Sequence, residues 1–371
     1  MSDEIKQNQK AGANSQQTQI QNLTIINGID EKRAREICDE KFDLIRKEFS
    51  SEALQIANER VSKFEDLLIP KMKKIDGALE FFSDPSFQYL ISKAHRTAAT
   101  TERLADYELL SELLIHRITK CSDRKTYAGI NKAVEIVNQI DEDALCGLTL
   151  AYSIGSFFPT SGDIFKGFDI LEELYLKLIY MSLPQGSEWL EHLELLSAIK
   201  ILNLQRFNPF CELFKSIMNG YYCLGIEKNS GDYDRAVQIL EDNNLDKTVF
   251  LAENPFNTKY YRIPIVNKQT INDLTTNCKS SLDDKIGTLL SENQKSALII
   301  IFDMYKQDAL LLNQIKNEID KIVSTKKSLN HAMHWWNNIS FAFSETSVGR
   351  VLAHANAQKY DASIPPLKGL S

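Results

Sequence analysis

Between Glu31 and Ile69, apolar residues return every three or four positions, at Ala34, Cys38, Phe42, Ile45 and Phe49 and again at Ala57, Val61, Phe64 and Leu68. That is the period of an α-helix seen from one side, and it leaves no room for the strict alternation of a strand. With Asp30 as N-cap and Pro70 as a stop, the spacing predicts one helix of roughly 60 Å at the usual rise per residue. Charged residues fill its other faces, as in a stalk or coiled coil whose seam needs a partner, and the same pattern also suits a helix lying along its own body. The register of the seam slips near Ser50 and Ser51.

Upstream, residues 1–28 are of another kind. Gln7, Asn8, Gln9, Asn14, Gln16, Gln17, Gln19, Gln21 and Asn22 crowd a segment with almost no charge after Lys10, and its second half, TQIQNLTII, turns β-branched and apolar. A lone strand is unstable in water, whereas copies from several chains can pair, with Asn and Gln ladders and with Ile20, Leu23 and Ile25 packed together. A disordered tail has equal weight on composition. The pairing reading makes the chain itself the expected partner, through Ile20, Leu23 and Ile25 of the arm and Ile45 and Phe49 of the stalk.

The rest reads as a mainly α, irregular multi-helical body. Apolar helical stretches alternate with short polar joints such as Ser83-Asp84-Pro85, Pro159 to Gly162, Pro184 to Gly186 and Ser230-Gly231, with no fixed repeat period. Ser291 and Gln294 have capping-box spacing. Strand is expected only near residues 18–26, 260–266 and 339–343, with Pro264 confining the second to an edge or irregular strand. The expected organisation is an Asn/Gln-rich arm (1–28), a long helix (29–76), a helical domain (77–254) and a C-terminal α-rich domain (255–371) with a short strand and a last helix capped at Thr346 or Ser347.

Charge and cysteine usage narrow the function classes. A net charge of -7 argues against a nucleic-acid partner, which calls for a clustered excess of Lys and Arg. The six cysteines stand far apart with no C-x-x-C, as thiols do in a reducing, cytoplasmic compartment. MSDEIKQNQK has no apolar export region, and the apolar run from Ala297 to Phe302 is cut by Asp303 well short of a membrane span, so neither export nor an anchor is expected.

Five segments carry a family resemblance: the arm NQKAGANSQQTQIQNLTIINGIDEKRAREIC, then FFSDPSFQYLISKA, GINKAVEIVNQIDEDALCGLTL, GSEWLEHLELLSAIKIL and the ending TSVGRVLAHAN. Together they resemble the uncharacterised bacterial LPO/Vpar-type family across nearly the whole chain. That resemblance implies no catalytic residues. Similar Asn/Gln-rich arms and similar C-terminal T-x-x-G helices, here Thr346 to Gly349, occur in bacterial proteins suspected of phage defence or abortive infection, and the resemblance implies a defence role for this chain as well.

Candidate chemistry is sparse. His331 and His334 lie three apart on a predicted helix and could share a face, but two ligands with no Asp, Glu or Cys at matching spacing do not make a metal site. The adjacent Trp335 and Trp336 read as core or as an interface anchor. Arg350 and His354 share a face of the last helix, as do the Arg and His of all-α ribonuclease toxins of the HEPN type, in which the His would act as acid-base and the Arg would steady phosphate. In those toxins the two stand further apart, whereas here only Val351, Leu352 and Ala353 intervene. No nucleotide-binding or serine-hydrolase motif occurs, and no cofactor is expected. The sequence therefore points to a self-associating helical protein, non-enzymatic or cryptically active, whose partners are copies of itself or another protein, with the ribonuclease as the competing reading.

Overall fold

A computed structural model of the chain describes residues 28–120, 123–277 and 287–367, and the Asn/Gln-rich arm with Ile20, Leu23 and Ile25 lies outside them. The chain is mainly helical, and the predicted stalk is two helices rather than one. α1 (Glu31–Arg46) is capped by Asp30, which accepts from Arg33 N, and α2 (Ser51–Lys73) is capped by Ser50. The break falls where the register slips, because Ser50 offers α2 its own N-terminal hydrogen bond. Pro70 does not end α2. Leu68, Ile69 and Met72 are fully buried around it, and burying three such side chains contributes about 1.5–3 kcal/mol each, against about 3 kcal/mol lost to an internal proline. The apolar seam finds its partners within the chain: α1 packs on α3 (Pro85–Thr100), and α2 packs on α3 and on α4 (Leu104–Lys120).

α5 (Arg124–Ile136) and α6 (Glu142–Ser156) complete this first layer. α6 is buried at every position from Ala144 to Ile154. α7 (Ile164–Leu178) and α8 (Glu188–Leu195) follow, and then β1 (Ile199–Leu202), a strand in a run that reads as helix in the sequence. α9 (Phe210–Ile217) leads into a second, smaller unit of packing: β2 (Ile226–Glu227), α10 (Gly231–Asp242), α11 (Lys247–Phe250), β3 (Ala252–Glu253), β4 (Tyr260–Arg262) and α12 (Glu292–Asp303). Its antiparallel sheet has the order β2-β4-β3, and its core gathers Ile226, Leu240, Phe250, Ile263, Leu298 and Ile301. β4 is the central strand rather than an edge, which Pro264 allows because the strand stops two residues before it. α12 opens with the predicted capping box, Ser291 and Gln294 each bonding the other's backbone.

α13 (Ala309–Thr325) and α14 (Lys327–Asn337) return to the first core, α14 lying against α7. β5 (Ala342–Glu345) then pairs antiparallel with β1, Ile199 opposite Glu345 and Leu202 opposite Ala342. α15 (Ser347–Tyr360), capped by Thr346, inserts among α4, α5 and α6. Its residues Val351 to Ala357 are all buried. One continuous core therefore runs from Ala34 on the first helix to Ala355 on the last. Among the described residues, no helix is long and apolar enough to cross a membrane.

Candidate functional site

The β1–β5 pair is held on an aromatic platform. α8 ends in a tight turn, with Ser197 left-handed at φ 59° and Ala198 N donating to Leu193 O at 2.8 Å. Glu194 folds back so that Oε1 accepts from Ile201 N at 2.8 Å, satisfying part of the free edge of β1. Beneath the sheet, Phe343 meets Trp189 edge-on at 5.9 Å and Phe207 at 5.1 Å. Phe207 lies on Trp336 at 4.3 Å, and Trp189 lies beside Trp335 at 5.8 Å. Both indoles are buried and anchored: Trp335 Nε1 donates to Pro184 O and Trp336 Nε1 to Asn208 O, each at 2.9 Å. The Trp pair is thus core, and it fixes the sheet in place.

Among the polar residues this platform holds out to solvent, such as Lys200, Asn203, Gln205 and Arg206, stand three large apolar ones. At the far end of the pair Leu202 is 37% exposed, Phe341 is 39% exposed and Leu204 is fully exposed. Leu204 also adopts φ 70°, a left-handed conformation that costs about 1–2 kcal/mol for a residue with a branched side chain. The turn is pinned on both sides, Gln205 N donating to Leu202 O at 3.1 Å and Gln205 O accepting from Ala342 N at 2.9 Å. A strained backbone that presents a bare leucine at the same end of the sheet as exposed Leu202 and Phe341 suits a protein partner better than it suits water.

The residues singled out in the sequence fall elsewhere. His331 and His334 are both exposed on α14. Neither belongs to the one group of three or more His, Cys, Asp or Glu donors found in mutual reach among the described residues. Arg350 is exposed, whereas His354, one turn on, is buried against His116, Tyr152 and Phe157. Burial, then neighbouring His116, push the His354 imidazole down to about 3, and its Nε2 lies 3.0 Å from Pro365 O. In that state it is a neutral hydrogen-bond donor that ties down the residues after α15. Ile45 is buried and Phe49 half-buried against the first core.

Two further polar features stand apart. A cleft of about 490 Å³ opens beside α3 and α5, lined by Tyr89, Lys93, Arg96, Glu135 and Asn138 among others. Its charges are already matched: the hydrogen bond from Lys93 holds Glu135 below the usual carboxylate range. The second is a buried trio on the first three helices, Cys38 of α1, Glu65 of α2 and His95 of α3, whose donor atoms all lie within 4.8 Å of one another. His95 Nε2 lies 2.9 Å from Glu65 Oε1. Sequence spacing gave no sign of either the trio or the Leu204 turn. The trio joins residues 27 and 30 positions apart, and the turn lacks the glycine that marks most left-handed positions. The available hints were Glu65 and His95 sitting on otherwise apolar helix faces, and two leucines on either side of Asn203.

One protein family, whose description names no activity, matches residues 28–364, and the chain belongs to that family. No curated protein and no solved structure matches it.

Proposed function

We propose that the chain acts by associating with copies of itself, as a component of a bacterial anti-phage defence or abortive-infection system. The observation that carries the association is Leu204, strained, wholly exposed and flanked by Leu202 and Phe341 on a rigid support. Covering one leucine contributes about 1.5–3 kcal/mol, and Leu202 and Phe341 add to it, so the patch supplies part of what offsets the cost of association. The Asn/Gln-rich arm, with Ile20, Leu23 and Ile25, adds a second route to pairing between chains. The defence role rests on the resemblance of that arm and of the Thr346 to Gly349 helix start. The competing ribonuclease reading has less support, because His354 is packed among aromatic rings with its proton affinity far below the working range of an acid-base group.

Plating efficiency of a panel of phages on bacteria expressing the full chain or Leu204→Asp at equal level tests the proposal. Protection by the wild type that falls at least tenfold with Leu204→Asp, together with loss of co-purification between two differently tagged copies, is expected. Absence of protection by the wild type removes the defence role, and protection unchanged by Leu204→Asp removes the sheet end from it. Protection abolished by Arg350→Ala in a variant that still co-purifies with the wild type would return the ribonuclease reading.

A further inference from the structure

The first three helices meet at an arrangement the self-association reading does not use. Cys38 and His95 are fully buried and Glu65 nearly so. Each comes from a different helix, and their Sγ, imidazole nitrogen and carboxylate oxygen converge within 4.8 Å. Phe42 and Phe64 wall the imidazole edge-on, with ring centres 5.8 and 6.0 Å away. An imidazole so enclosed ordinarily satisfies its ring nitrogens by hydrogen bonds. Here neither ring nitrogen of His95 makes a well-directed hydrogen bond, and the 2.9 Å approach of Nε2 to Glu65 Oε1 is an ion-pair distance without hydrogen-bond alignment. An unsatisfied buried polar group costs about 1–3 kcal/mol, so the arrangement calls for something that accepts three lone pairs at once.

We propose that Cys38, Glu65 and His95 form a binding site for a divalent transition-metal ion, zinc foremost. Thiolate, imidazole and carboxylate are the donor types zinc takes, and bond lengths of about 2.0–2.3 Å in a tetrahedron place its donors about 3.5 Å apart. The trio reaches that spacing by contracting the longer separation by about 1 Å and opening the Glu65–His95 contact slightly. Thiolate and carboxylate together carry two negative charges, which a divalent ion neutralises beside the rings of Phe42 and Phe64. The hard divalent ions are excluded by the thiolate and imidazole, since they take oxygen donors. Three protein donors leave a fourth position for water. Binding releases the Cys38 thiol proton to solvent as the metal–sulfur bond forms, so loading weakens as pH falls. The ion would tie α1, α2 and α3 together at the start of the fold.

Cobalt and zinc titrations of the full chain, stripped with a chelator under reducing conditions, test the site. One equivalent of cobalt is expected to bind with the near-ultraviolet sulfur-to-metal charge-transfer band and the intense visible bands of a tetrahedral site, and one equivalent of zinc should displace it. Cys38→Ser should abolish the charge-transfer band, and Glu65→Gln should weaken binding, circular dichroism confirming that both are folded. Cys146→Ser and the double change His331→Ala with His334→Ala should leave the spectrum unaltered, and zinc should raise the melting temperature of the wild type but not of Cys38→Ser. A folded wild type that takes up no stoichiometric cobalt or zinc, or a Cys38→Ser variant with an unchanged cobalt spectrum, overturns the site.

Discussion

Gly349 lies inside the first turn of α15, where the helix starts against the backbone of Ala198. A Cβ placed there would sit 2.0 Å from Ala198 O, more than 1 Å inside ordinary contact. The obstacle is backbone, so it cannot swing aside. The same carbonyl accepts from Thr346 N at 2.9 Å and from Thr346 Oγ1 at 3.0 Å, which means that pushing the helix away loosens its own cap. Overpacking of this kind costs about 2 kcal/mol, and weakening two hydrogen bonds costs about 1–2 kcal/mol more. Alanine returns about 1 kcal/mol through its helix preference. The balance for Gly349→Ala is a loss of about 2–3 kcal/mol. Gly155, near the end of α6, is the control, since its added Cβ meets nothing within 4 Å. Gly155→Ala should stabilise by about 0.5–1 kcal/mol on helix preference alone. Urea unfolding followed by circular dichroism reads both changes, and the midpoints should move in opposite directions. A Gly349→Ala midpoint equal to or above that of the wild type would refute the close approach of α15 to β1.

Two further outcomes follow from burial. Folded His354 stays neutral to about pH 3, whereas an unfolded imidazole gains its proton near its ordinary value of 6.5; the unfolded chain therefore binds the extra proton, and stability should fall as pH drops from about 6.5 towards 3, by about 1.4 kcal/mol per unit per proton. His116, also held down by burial, adds to that slope, so urea midpoints between pH 7 and 4.5 should flatten in His354→Gln without becoming level, and an unchanged slope would contradict the burial of His354. Burial pushes the thiols of Cys146 and Cys223 to about 11 and that of Cys211, with help from Asp320, to about 12. These three free cysteines should resist a thiol reagent at pH 8 until urea unfolds the chain, and fast labelling of any of them in the native protein would place it at the surface instead.

The helical character of the chain is legible because it is local. Asp30, Ser291 with Gln294, and Thr346 announce helix starts by their own chemistry, and each caps the helix it precedes. Pro70 misled because the rule that proline ends a helix ignores what its neighbours bury. The strand β1 was hidden for a different reason: AIKIL carries the apolar content of a helix end, and only β5, more than a hundred residues later, makes it a strand. The same distance in sequence conceals the Cys38–Glu65–His95 trio. Arg350 and His354 illustrate the limit of spacing: four positions put two residues on adjacent turns, but the packing of α15 against α4, α5 and α6 decides that one faces water and the other lies among aromatic rings.

Sedimentation velocity on the full chain and on Leu204→Asp, from submicromolar to tens of micromolar, tests self-association through the sheet end most directly. The weight-average sedimentation coefficient of the wild type should climb with concentration, while Leu204→Asp, with an unaltered circular dichroism spectrum, should hold the single-chain value or need at least tenfold more protein to leave it. A wild type that sediments as a single chain throughout, or a Leu204→Asp variant that assembles as readily as the wild type, contradicts the account.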